Sequence, residues 1–125
     1  MGLKEKQAMA NLDFSSSLKR IKEYTGKDIK IELDSDSFSS DMDAILYADS
    51  RGAQRVANGL AIVCRNDIGK DAFNDKKITK VLLKNQTEGS RSVSMKGGVL
   101  TVAFAFSGSD HFSENELQEQ IENQL

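Results

Sequence analysis

The sequence has no proline and no tryptophan, and only one cysteine and one histidine, in 125 residues. Ordinary composition would supply about six prolines in a chain of this length. Their absence excludes a proline-rich linker, a PxxP ligand and a cis-proline turn. A lone Cys64 excludes an internal disulfide and fits a reducing compartment. One histidine with one cysteine is too few for an ordinary zinc site. No stretch of about 18 apolar residues occurs, so no transmembrane helix is expected. The segment MGLKEKQAMANLDF is charged and lacks an apolar core, so it is not expected to act as a secretory signal. The cytoplasm is therefore the expected compartment.

A large excess of charge of one sign is also lacking. The net charge is −2 and the pI about 5.4. Neither nucleic acid nor a membrane is expected as a partner on that balance. No repeat, low-complexity tract or interior linker is visible, so residues 1–125 read as one α+β domain.

What is present is a succession of two periodicities. Phe14, Leu18 and Ile21 fall on one helical face within residues 3–25, and the first ten residues either extend that helix or fray. Gly26 is a natural stop. In DIKIEL, Ile29, Ile31 and Leu33 alternate with charges, which predicts a strand. Ser40 with Asp43 resembles a helix-capping pair. Arg51-Gly52 predicts a break. Ala53, Val56, Ala57, Leu60, Ala61 and Cys64 then form a helical stripe of mostly small residues. Asp67 predicts the cap of one further short helix. From Ile78 the period becomes two, predicting strands near 77–84, 91–96 and 99–106, with Gly97-Gly98 as a hairpin turn. Ser113 and Glu116 open a last helix with a capping box. The expected fold is a two-layer sandwich in the order α-β-α-α-β-β-β-α. Its four-stranded sheet is expected to be mainly antiparallel, with helices on one face.

The candidate chemistry is sparse. Four aspartates, Asp34, Asp36, Asp41 and Asp43, crowd the segment LDSDSFSSDMDA. A calcium loop starting at Asp34 would need glycine at its sixth position and a carboxylate at its twelfth, but has Ser39 and Ile45. The better reading is a strand-to-helix turn with negative charge at the helix start. No metal or other cofactor is expected. His111 follows Asp110, but no nucleophile motif accompanies it and no catalytic residue is assigned. Lys76, Lys77, Lys80 and Lys84 read as the lysines that guard an edge strand.

These readings point to a small non-catalytic protein-binding module of the inhibitor, immunity-type, adaptor or chaperone-like kind. It would act on a protein partner or by self-association. The expected surface is the less apolar sheet face, with Ser92, Ser94, Thr101, Ala103 and Ala105. The alternative is a small-ligand-binding domain or an enzyme using Asp110 and His111 with nearby acids. A concave polar site at His111 would favour the alternative, and a flat open sheet the first reading.

Overall fold

A computed structural model describes residues 2–125. The elements run α1 (Leu3–Ala10), α2 (Ser15–Thr25), β1 (Lys30–Leu33), α3 (Ser35–Phe38), α4 (Met42–Tyr47), a π-helical segment (Ala48–Ala53), α5 (Gln54–Val63), α6 (Asp67–Asp75), β2 (Lys80–Asn85), β3 (Ser92–Lys96), β4 (Val99–Phe104) and α7 (Glu114–Glu122). Among the described residues no helix is long and apolar enough to cross a membrane.

The four strands form one mixed sheet in the order β1-β2-β4-β3. β1 pairs β2 in parallel, β2 pairs β4 in parallel, and only β3 and β4 are antiparallel. The expected mainly antiparallel sheet is therefore corrected. The reason lies in the connections. The helices of 35–75 carry the chain from the end of β1 back to the start of β2, which is a parallel crossover. After β2, residues 86–91 pass beyond the neighbouring position. β3 becomes the far edge, and the tight Gly97-Gly98 turn returns β4 into the gap. Both glycines have positive φ, 57° and 79°, as a two-residue hairpin turn of this twist requires. β2 is thus an interior strand, and Lys80 and Lys84 do not guard an edge.

Cross-strand register sorts the side chains. Ile31, Val81, Leu100 and Met95 share one row, and Leu33, Leu83, Val102 and Val93 the next. Val81, Leu83, Leu100, Val102 and Phe104 have no exposed surface. Burying one such side chain is worth about 1.5–3 kcal/mol, enough to fix which face turns inward. The other face carries polar and charged residues.

Helical stretches join where a break is expected. Residues Met42–Val63 run through the π-helical segment without interruption. Gly52 serves a close approach instead. A Cβ there would lie 2.7 Å from Phe106 Cε2 and 2.9 Å from Leu83 Cδ1, both buried core atoms. Residues 3–25 divide into α1 and α2, and α1 buries no residue. Asn66, rather than Asp67, caps α6 by accepting from Gly69 N at 2.9 Å. Ser113 and Glu116 form the capping box of α7.

Two outcomes follow. Gly52→Ala adds a methyl group where packed rings and branched chains cannot yield, so it should destabilise by about 1–3 kcal/mol in denaturant unfolding. Cys64 is 5% exposed and burial pushes its thiol pKa up to about 11. A thiol reagent should therefore label the native protein far more slowly than the urea-unfolded chain, and equal rates would contradict this packing.

Candidate functional site

The aspartate segment resolves into helix entrances. Asp34 precedes α3 and Asp36 lies within it. Asp41, rather than Ser40, caps α4. One carboxylate oxygen accepts from Ala44 N at 3.0 Å, and the other accepts from Asn85 Nδ2 at 3.2 Å and Ser107 Oγ at 3.1 Å. Asn85 is buried at the ends of β2 and β4. It donates to Ser37 O at 3.2 Å, and its Oδ1 accepts from Phe106 N at 3.1 Å. A buried amide with both ends bonded contributes to order instead of costing stability. Among the described residues no group of three His, Cys, Asp or Glu side chains is placed to hold a metal ion.

His111 sits in the chain between β4 and α7, in a shallow depression with Arg55, Ser113, Glu114 and Glu116. Arg55 Nη1 lies 2.8 Å from His111 Nδ1 and also donates to Phe112 O at 2.9 Å. A guanidinium only donates, so Nδ1 accepts and the proton of the neutral ring is on Nε2. Arg91 donates to His111 O at 2.8 Å and to Glu116 Oε2 at 2.7 Å, pairs with Asp110 at 3.5 Å, and stacks over Phe112. Arg51 donates to Phe106 O at 2.7 Å and to Gly108 O at 3.2 Å. Arg51 and Arg55 thus tie the loop after β4 to the helical layer, and Arg91, just before β3, ties it to the sheet edge and to α7. Asp110 faces Arg91 and the ring of His111 faces Arg55, so Asp110 does not orient the imidazole. Partial burial and the charges of Arg55, Arg51 and Arg91 hold the His111 pKa below its ordinary 6.5, against a smaller opposing effect of Glu116. Arg91 likewise holds Glu116 low.

The second region is the outward sheet face. Its rows read Lys30, Lys80, Val99, Lys96; then Glu32, Leu82, Thr101, Ser94; then Lys84, Ala103, Ser92. Ala105 continues the outward set just beyond β4. Of the five residues expected to form a binding surface, Ser92 is exposed and Ser94, Thr101 and Ala105 are partly buried. Ala103, at 3%, lies flush between larger neighbours. Glu32 pairs with Lys80 at 3.3 Å and is the only carboxylate in these rows against four lysines. Hydroxyls and ammonium groups on a flat surface can bind carboxylates.

The arginine cluster was not expected from the sequence. Its one signal is Arg51 and Arg55, a like-charged pair four apart on a helix, which costs stability unless acceptors are supplied. A buried Asn85 is signalled more clearly, as a polar residue continuing the inward positions of Val81 and Leu83.

The lowered His111 pKa has a definite sign. The folded state binds fewer protons than the unfolded chain, so stability is full above the unfolded value near 6.5 and falls as pH drops through it. The melting temperature should fall between about pH 7.5 and about pH 5.5, and fall less in His111→Gln. An NMR titration of the ring placing its pKa above 6.5 would contradict the arginine contacts. No family model, curated protein or solved structure matches this chain.

Proposed function

We propose that this chain is a non-catalytic protein-binding module whose outward sheet face takes an acidic surface of a partner protein. The observation that carries the reading is the charge of that face. Lys30, Lys80, Lys84 and Lys96 surround Thr101, Ser94, Ser92, Ala103 and Ala105 in a chain whose net charge is −2. The small central side chains let a flat partner approach the strands, and the lysines supply complementary charge at the rim. The face carries no aromatic side chain, so it lacks the base-stacking platform of single-strand nucleic-acid binders. The Nδ1 lone pair of His111 is engaged by Arg55, which weighs against the imidazole as a general base through that nitrogen.

The test is charge reversal on exposed positions. Partners are captured from the native host by cross-linking, purified, and their affinity measured directly with the wild-type chain and with Lys84→Glu/Lys96→Glu. A loss of about tenfold or more, with unchanged melting temperature and with affinity falling as salt rises, is expected. An equal affinity for both chains, or binding only to an added oligonucleotide, would overturn the reading.

A further inference from the structure

The two edges of the sheet are treated differently. β3 forms one edge, and the side chain of Gln124 is seated on it. Gln124 Nε2 donates to Val93 O at 2.7 Å, and Gln124 Oε1 accepts from Met95 N at 3.0 Å. One side-chain amide thus replaces the peptide group of an absent neighbouring strand. β1 forms the other edge. Lys30 N donates to Thr79 O at 3.0 Å and Asp34 N to Leu83 O at 2.8 Å, so alternate residues face β2. The N–H and C=O groups of Ile31 and Leu33 therefore point away from the sheet. Among the described residues no group of the chain bonds them. Beside this edge lie the half-buried apolar side chains of Leu12, Phe14 and Leu18. An open edge of this kind is a template for another strand.

We infer that β1 pairs antiparallel with β1 of a second copy, making a two-fold dimer with one continuous sheet. The segment is self-complementary about Ile31. With Ile31 opposite Ile31 of the second copy, Ile29 meets Leu33 and Lys30 meets Glu32, each twice by symmetry. Ile31 then exchanges both backbone hydrogen bonds with its counterpart, and its free groups are the ones aimed outward. Lys30 and Glu32 stand on the outward face, where opposite charges directly across strands are favourable. Asp28 would meet Asp34, and that repulsion ends the ladder on each side. The seated Gln124 explains why association stops at two, since a sheet with two open edges would add copies without limit. The inference concerns the free backbone edge of β1, which shares Lys30 and Glu32 with the outward face, and its test, the association of the chain with itself, does not rest on the function proposed for that face.

Sedimentation of the full chain over a wide concentration range tests the pairing. The wild type should pass reversibly from monomer to dimer. Lys30→Glu sets carboxylates across the pair and Glu32→Lys sets ammonium groups across it, so each alone should weaken dimerisation about tenfold or more. Mixing the two variants should restore association, because one chain then carries only acids and the other only bases. Amides of Ile31 and Leu33 in the wild type should exchange more slowly as concentration rises, a readout that needs no variant to fold. A wild-type chain that stays monomeric throughout, variants that dimerise as tightly as wild type, a mixture that stays monomeric, or concentration-independent exchange at Ile31 and Leu33 would each overturn the pairing.

Discussion

The helix backbone at Gly52 rests on Leu83 and Phe106 with no space for a methyl group. This contact sets the distance between the helical rod of residues 42–63 and the sheet. At that distance Arg51 reaches the carbonyls of Phe106 and Gly108, and Arg55, one turn on, reaches the carbonyl of Phe112. The chain leaving β4 is thereby laid along the rod. It delivers Ser113 to the start of α7, which then packs over Gly59, where a Cβ would meet the backbone of α7 at 3.3 Å. Two small residues in one helical stripe therefore admit the sheet at one point and a second helix at another. A larger side chain at either would push a whole layer outward.

Because the rod, α2 and α7 all gather on one side, the opposite side of the sheet receives no helix or strand among the described residues. Charge is partitioned along the same division. The face that turns outward is rich in lysine, while the acidic surplus implied by a net charge of −2 resides elsewhere. The buried amide of Asn85 has partners at both ends, whereas the buried Oδ1 of Asn74 has none among the described residues. Asn85 ties the ends of β2 and β4 to the turn before α4, and Asp41 closes the same knot from the other side.

Much of this was legible as local periodicity. Ile29, Ile31 and Leu33 marked β1, and Leu100, Val102, Phe104 and Phe106 marked inward positions that are fully buried. The Ser113–Glu116 box and the Gly97-Gly98 turn were read where they stand. Strand direction was not legible, because alternation names the inward residues but not the neighbouring strand. Whether β2 meets β1 or β3 depends on how 86–91 travels. Gly52 misled because an interior helix glycine normally signals weakness, and its reason is held by Phe106, far along the chain. The role of Gln124 had no local signal, since a polar residue after a helix is ordinary until the strand beside it is known. The surface residues Ser92, Ser94, Thr101, Ala103 and Ala105 follow from alternation alone, whereas Lys30 and Lys96 join them only through the register.

The connection pattern also orders events in time. β3 and β4 meet through a two-residue turn, and β2 reaches β4 after a short excursion, so these three strands assemble from contacts of modest sequence separation. β1 is held by four residues along one edge, and its neighbour lies beyond the whole helical segment 34–79. Closing that long loop costs entropy before any ladder bond repays it. Across small proteins a larger share of contacts of this span goes with slower folding. By this argument β1 adds to the sheet after β2, β3 and β4 have paired, and it is held there from one side only.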